Sequence, residues 1–504
     1  MNEKDRRLFW ASSILVAVAT LTVSLAALGC GQHGQEDPYD EAIEKSRAFV
    51  SRMREVFKIP GLAVAVAIDG KIVWAEGFGY ADLEKKTPAT PQTVFRVGSV
   101  SKILTAAAVA LLYEQGKLDL DVPVQQYVPE FPDKGQVITT RQLAGHLAGI
   151  RHYNVDEPIY ERKKHYNDVI TALEIFKDDP LLHPPGEKWW YSSYGWNLIS
   201  AVIQRASGQP FLDYMREHVF EPLDMYRTAP DDVTKEISNR ATLYDEGEIA
   251  PVSDNSYVWA GGGFLSTVED LVRFGSAHLP GSTFLKPGTL ELLFTNQKTN
   301  DGKPVRNGIG WMVNTFENGN PFYYHVGLVL GGQSILIVHP QERLVVAMLA
   351  NEDGGFGEFE ANGIAWYFLG LNETAWPEIT GEKERRMKQR ESMSQLLSAL
   401  RAWKTGFENA DLNSVMATYS ENFKSETWPN KLAMRRHFQK VFASGNTDVD
   451  DEKIHVRRQG DEIGDLIYVE QIKTSGAFGN SAIRLTFTRE ESGWLITNLE
   501  IAKP

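Results

Sequence analysis

Ser99-Val100-Ser101-Lys102 is the segment of this 504-residue chain best suited to chemistry. Serine and lysine three apart on a helix share one face, with about 5–6 Å between Cβ atoms. Gly98-Ser99 opens an expected buried helix reaching to near Gly116, because Ile103, Leu104, Ala107, Ala108, Leu111 and Leu112 cover a wide apolar face. A helix N-terminus places backbone N–H groups and partial positive charge beside Ser99, which favours an oxyanion there. A hydroxyl attacks once something removes its proton. A lysine in apolar surroundings loses charge stabilisation and can take that proton. Ser-x-x-Lys arises by chance about twice in a chain of this length. Read alone, it also fits an N-cap serine followed by a solvated lysine.

Two further places could assist. Pro185-Gly186-Glu187-Lys188-Trp189-Trp190-Tyr191-Ser192-Ser193 puts a tyrosine and small polar residues in a loop before a helix. A tyrosine near a lysine can be ionised or share its proton, which suits delivery to a leaving group. Read alone, Tyr191 is more simply one aromatic among Trp189 and Trp190. His325-Val326-Gly327-Leu328 precedes a strand expected over 333–339. Glycine there lets a substrate backbone approach an edge strand, and His325 could bind a carboxylate or polarise the tyrosine. An ordinary strand histidine is the simpler reading of that segment in isolation.

The elements that must position these residues alternate between strand and helix. Leu62–Ile68 and Ile72–Ala75 flank Asp69-Gly70, a strong hairpin signal. Residues 197–206 and 212–219 read as helices. Ser266-Thr267-Val268-Glu269 reads as a capping box before another, and strands return at 333–339 and 343–350. A charge-dense stretch, Glu382 to Glu391, separates this body from a second pattern. There, helical spacing of Leu396, Leu400, Trp403 and Phe407 precedes a helix capped by Asp411 and a third carrying Met434, Phe438 and Phe442. Alternating runs at 454–458, 466–472, 482–488 and 494–501 follow. Three helices and then antiparallel strands make a small α+β domain.

Composition narrows the function. Hydrophobic residues make up 42% and charged residues 23%, which excludes a disordered or polytopic membrane chain. The formal net charge of −14 argues against nucleic-acid partners. A single cysteine excludes an internal disulfide and Cys-rich metal centres. His-Glu-x-x-His and zinc-spaced histidines are absent from the sequence, so neither a metal nor another cofactor is expected. At the N-terminus, Lys4, Arg6 and Arg7 precede an apolar run from Leu8 to Leu28 that ends in Ala27-Leu28-Gly29-Cys30. That is the anatomy of a secretory signal. An uncleaved membrane anchor of similar length is the alternative.

Taken in order, Ser99-x-x-Lys102, Tyr191-Ser192-Ser193 and His325-x-Gly327 resemble the serine β-lactamase and penicillin-binding protein family, most closely its class C and S12-type serine-peptidase branch. Phe95-Arg96-Val97-Gly98-Ser99, His146-Leu147-Ala148-Gly149-Ile150 and Ala260-Gly261-Gly262-Gly263-Phe264 agree. Ile150-Arg151-His152-Tyr153 and Asp254-Asn255-Ser256-Tyr257-Val258-Trp259 resemble an animal mitochondrial subgroup of that family. The resemblance implies an α+β fold: a penicillin-binding/β-lactamase transpeptidase-like antiparallel sheet flanked by helices, with a helical subdomain. It makes Ser99 the acylated nucleophile, Lys102 its base and Tyr191 the proton relay. His325 takes the third-motif position. The N–H groups of Ser99 and Leu328 would form the oxyanion hole, beside Gly327. Ser193 stands where Asn is common and Val326 where Ser or Thr is common. Both changes remove polar groups expected to hold a β-lactam.

The tail from Trp403 to Asn422, with the closing strands, resembles the nuclear-transport-factor-2-like (SnoaL-like) cone fold, which implies ligand binding or dimeric assembly. Ala-Leu-Gly-Cys resembles a bacterial lipobox with Cys30 as the lipidated residue. The expected organisation is a lipoprotein signal over 1–29, a tether over 30–40, a hydrolase domain over 41–372, a charged linker over 373–392 and an NTF2-like domain over 393–504. The function expected is an exported, membrane-tethered serine hydrolase acting on an amide or ester of a peptide or small molecule, on the periplasmic or outer-membrane side. A true β-lactamase and a non-catalytic scaffold are the alternatives.

Overall fold

The computed structural model describes residues 38–371 except 154–163, 246, 317 and 353–354, together with discontinuous stretches between 403 and 502. The expected signal, nearly all of the expected tether, the expected charged linker and most of the helix expected around Leu396–Phe407 lie outside the described residues.

The body is built on one antiparallel sheet of seven strands. In chain order these are β1 Gly61–Ile68, β2 Lys71–Asp82, β3 Thr87–Pro88, β4 Met312–Thr315, β5 Pro321–Val329, β6 Gly332–His339 and β7 Leu344–Ala350. Their spatial order is β3-β2-β1-β7-β6-β5-β4. The β1–β2 hairpin turns at Asp69 (φ 51°) and Gly70 (φ 76°), the pair of positive φ values that Asp-Gly tolerates. The helices that matter to the site are α1 Asp40–Phe57, α2 Ser101–Glu114, α3 Thr140–Ala144, α4 Ser193–Ser207, α5 Trp259–Gly262, α6 Val268–Ser276 and α7 Glu358–Phe368. Helix α1 begins within the expected tether.

Both sheet faces are covered, so β1, β6 and β7 are buried almost throughout; β1 and β7 are wholly apolar, while β6 carries Gln333, Ser334 and His339 among its apolar residues. On one face Ala63, Ala65, Ala67, Leu336 and Leu349 join a cluster that includes residues of α2, α4 and α6. On the other, Leu62, Val64, Ile335 and Met348 pack with residues of α1 and α7. A Cβ on Gly275 would lie 2.5 Å from Val345 Cγ1, so glycine permits α6 to lie this close to the sheet.

Local outcomes refine the sequence reading. The helix bearing Ser99 starts with a 3₁₀ turn, Gly98–Val100, before α2. The helix expected from 197 starts at Ser193, because the Ser192 hydroxyl caps it by accepting from Gly195 N–H. The expected 212–219 helix is a short α-helix, Phe211–Met215, running into a π-helical turn, Arg216–Phe220. The cap of α6 falls one residue later than the expected box. Thr267 Oγ1 accepts from Asp270 N–H, while Glu269 instead accepts from Gln92.

In the C-terminal region α8 Leu412–Ala417 is capped by Asp411, and α9 Lys431–Ala443 buries Met434 and Phe438. Strands follow at Val449–Asp450, His455–Arg458, Leu466–Thr474, Ser481–Glu490 and Gly493–Ala502, paired antiparallel. The helix-then-strand order matches the α+β pattern read from the sequence.

One buried charge pair ties the site's scaffolding together. The Arg96 guanidinium, 1% exposed, bonds Asp231 Oδ2 at 2.7 Å, Ser253 Oγ and C=O at 2.9 Å, and the Leu330 carbonyl at 3.0 Å in the β5–β6 turn. Asn255 and Arg240 also bond Asp231. Asp231→Ala would leave a buried guanidinium without its carboxylate and is expected to cost about 3–5 kcal/mol, read as a lower urea midpoint. Replacing both partners with apolar residues should cost less. A wild-type midpoint for Asp231→Ala would show that this pair does not hold the scaffold.

Candidate active site

Lys102 is fully buried on α2, one turn after Ser99. Its Nζ lies 3.0 Å from Ser99 Oγ, 3.0 Å from Ser193 Oγ and 2.5 Å from the Gly261 carbonyl oxygen. Burial lowers its pKa well below the usual lysine range, since an ammonium there would lose its hydration. A neutral amine has two N–H groups and one lone pair. The Gly261 carbonyl can only accept, so it takes one N–H, and Ser193 takes the other. The lone pair is then left for the Ser99 O–H. The structure thus gives Ser193 a use that the comparison with Asn obscured: it holds the amine.

Tyr191 comes from the loop ahead of α4. Its hydroxyl donates to Ser99 Oγ at 2.8 Å, and its ring centroid lies 4.8 Å from Lys102 Nζ. Burial raises the tyrosine's pKa, which outweighs the opposing hydrogen bonds with Ser99 and Ser193. Of the two states open from the sequence, desolvation of the phenol therefore favours the protonated form, a proton donor at neutral pH.

The third motif lies on β5 itself, paired with β6. Register puts His325 opposite Leu336, Val326 opposite Ile335 and Gly327 opposite Ser334. His325 and Gly327 therefore share the sheet face of Leu336 and Ser334, where the His325 ring is 6.4 Å from that of Tyr191. Val326 shares the far face with Ile335 and packs against the cluster that includes α1 and α7. The expectation that Val326 meets substrate is corrected by this alternation. Leu328 is 57% exposed.

His325 is not a cation. Its Nδ1–H donates to the Val326 carbonyl at 2.7 Å, and burial pushes its pKa down to about 3, with Lys102 adding to the effect. Of the two roles open from the sequence, binding a carboxylate and polarising the tyrosine, the first loses its charge, because the imidazole is neutral with a bare Nε2.

Close backbone packing sets Ser99 against β5. A Cβ on Gly327 would lie 2.0 Å from the Val97 carbonyl oxygen, and Ser334 Oγ donates to that same oxygen at 2.6 Å. Gly98 has φ +47°, and a Cβ there would lie 3.0 Å from Leu328 N. These two glycines bring the Leu328 N–H beside the turn that carries Ser99, as an oxyanion hole requires.

The sequence reading left three neighbours out of the site. His146 packs its ring 4.4 Å from that of Tyr191. His152 stands edge-on to Tyr191 at 5.4 Å, and its Nδ1 accepts from Ser193 N–H at 3.1 Å. Tyr153, partly buried, hydrogen-bonds with Ser193. Their signals are the segments His146-Leu147-Ala148-Gly149 and Ile150-Arg151-His152-Tyr153, which carry the family resemblance. Among the described residues no group of three His, Cys, Asp or Glu side chains could hold a metal ion.

Residues 47–367 match the Beta-lactamase family model. The chain is 35% identical over 400 residues to the serine beta-lactamase-like protein LACTB, mitochondrial, of Homo sapiens, covering 60% of this chain and 73% of that protein. It is 26% identical over 304 residues to protein flp of Staphylococcus aureus strain MW2, covering 58% and 60%. Among solved structures, the octameric penicillin-binding protein homologue from Pyrococcus abyssi is similar in fold. The TM-score is 0.59 at 22% identity, covering 92% of this chain and 96% of that one.

The geometry fixes the sign of a pH dependence. Ser99 reacts while Lys102 is uncharged, so acylation by a neutral fluorophosphonate should rise with pH. Its midpoint should fall below the roughly 10.4 of a free lysine. His325 and His152, both held at about 3, add no limb near neutrality. Intact-mass kinetics should find Ser99→Ala unlabelled and Lys102→Met nearly so. A midpoint at the free-lysine value would refute the buried base.

Proposed function

The chain belongs to the beta-lactamase family of serine hydrolases, and from that premise we propose that Ser99 forms an acyl-enzyme with an amide or ester substrate, a peptide or cell-wall peptide, on the exported and lipid-tethered side of a bacterial membrane. One observation carries the catalytic part: Ser99 Oγ sits between Lys102 Nζ at 3.0 Å and Tyr191 OH at 2.8 Å. Lys102 takes the Ser99 proton as Oγ attacks the carbonyl carbon. The N–H groups of Ser99 and Leu328 receive the developing oxyanion. Tyr191 gives its proton to the departing nitrogen or oxygen, and Lys102 passes the proton it took from Ser99 back to Tyr191 through the Ser193 hydroxyl, which bonds both. Water then repeats the sequence on the acyl group. Intact-mass analysis with a fluorophosphonate, a penicillin and a peptide library tests this reading. A Ser99 adduct with the first and turnover of a peptide are expected.

Cleavage of β-lactams is the second reading and the weaker one. A β-lactam carries a carboxylate, while His325 is neutral, Val326 faces away and Ser193 already holds Lys102. Each missing hydrogen bond to a charged group costs about 1.5–3 kcal/mol, roughly 10- to 150-fold in rate. Nitrocefin turnover is therefore expected below about 10⁴ M⁻¹s⁻¹, slower than cleavage of an activated ester. Val326→Thr should leave it nearly unchanged. Efficient nitrocefin turnover would promote the β-lactamase reading.

The tether rests on Cys30 at the end of the apolar run. Metabolic labelling with an alkyne fatty acid should mark the wild-type chain and not Cys30→Ser. Equal labelling would remove the lipoprotein assignment. For the C-terminal region we assign ligand binding or self-assembly through an NTF2-like unit. The fold likeness covering 92% of this chain to a homologue described as octameric is consistent with assembly.

A further inference from the structure

His146 grips Tyr191 from three directions. The His146 carbonyl accepts from Trp190 N–H at 2.8 Å, on one side of the tyrosine. Its Nδ1 accepts from Ser192 N–H at 3.1 Å, on the other. Its ring lies against the Tyr191 ring, with centroids 4.4 Å apart. The two residues bracketing Tyr191 are thus both bonded to one histidine.

That histidine is itself anchored. His146 N–H donates to Leu143 C=O of α3 at 3.1 Å, and the next residue, Leu147, accepts from Gly186 N–H at 2.7 Å. Its backbone is left-handed, φ 60°, a conformation costly for most side chains. Such strain persists where the surroundings over-determine it. Nδ1 can accept only while unprotonated, and burial, with Lys102, His325 and His152 nearby, holds the imidazole neutral.

We propose that His146 is a positioning residue for proton delivery: its carbonyl and Nδ1 fix the backbone on both sides of Tyr191, and so fix the phenol relative to Ser99. This rests on the reading of Tyr191 as the proton donor to the leaving group. It adds a residue that touches neither substrate nor Ser99.

Leaving groups separate this role from a general loss of structure. A p-nitrophenolate departs without a proton, whereas an alkoxide or amine needs one. The variants are His146→Gly, which removes acceptor and ring and accepts φ +60° without strain, and His146→Asn, which tolerates that φ and keeps an acceptor. Purified full-length variants are assayed for kcat on a p-nitrophenyl ester and on an alkyl ester or amide of the same acyl group, with thermal midpoints alongside. A small misplacement of the phenol should cost His146→Gly about ten-fold or more on the alkyl ester or amide, and much less on the activated ester. His146→Asn should recover most of that loss. Equal losses on both substrates, or no recovery with Asn, would overturn the proposal. Tyr191→Phe is the reference, expected to lose about 10²-fold or more on the poor leaving group alone. If Tyr191→Phe shows no such selectivity, the relay reading fails and takes this proposal with it. If Tyr191→Phe is selective and His146→Gly is not, the role of His146 alone is refuted.

Discussion

The structure depends on a lysine amine kept out of water without a carboxylate. An isolated ammonium in a protein interior is so costly that the group gives up its proton instead. Lys102 has no acidic partner among the described residues, and burial alone lowers its pKa. Its oxygen neighbours are two hydroxyls and a carbonyl, all uncharged. A carboxylate in place of Ser193 would stabilise the ammonium and remove the base. The choice of neutral acceptors is therefore as necessary to the chemistry as the lysine itself. Helix α2 supplies the dry surroundings, since all its residues from Ser101 to Ala110 are buried.

Keeping the amine dry while Ser99 stays reachable requires three chain segments to meet at close range. The 3₁₀ turn at Gly98–Val100, strand β5 and helix α5 do so through glycines. Gly98 meets Leu328, Gly327 meets Val97, and Gly261 packs against Ser193 with its carbonyl turned to Lys102. A methyl group at the first two positions would push the β5 strand away from the turn. Below them, Arg96 bonds the Leu330 carbonyl and so holds the end of the same strand. The oxyanion pocket is thus a product of backbone packing, with the buried Arg96–Asp231 pair supporting it from beneath.

Sequence spacing made most of this legible, and the limits have physical causes. Ser99 and Lys102 were readable because both lie on one helix, where an interval of three residues fixes their relation. Tyr191 was readable only by resemblance, since its approach to Ser99 spans 92 positions of chain. Val326 was misplaced because a linear motif does not reveal which way a strand's side chains point. Pairing with Ile335 decides that, and register is a tertiary property. His146 and His152 escaped for another reason. Each acts through backbone N–H groups of a different loop, and no local pattern announces such a partner. The strands between 455 and 502 were visible as alternation, because each period-two run is complete within its own segment.

The histidines also bear on how far this site departs from a merely stable one. His146 Nε2 and His325 Nε2 are buried with no hydrogen-bond partner among the described residues. Each such atom costs about 1–3 kcal/mol of desolvation, in molecules whose whole stability is about 5–15 kcal/mol. Apolar rings of similar size would pack there without that penalty. They would lose the Nδ1 atoms, however, and those are the atoms in use: one accepts Ser192 N–H and the other donates to the Val326 carbonyl. An imidazole offers a single accepting or donating edge with a largely apolar body. It can fix a backbone beside Lys102 without adding a charge that would perturb the amine. The unused nitrogen on each ring follows from choosing the one side chain that bonds the backbone, stacks on tyrosine and stays neutral at the same time.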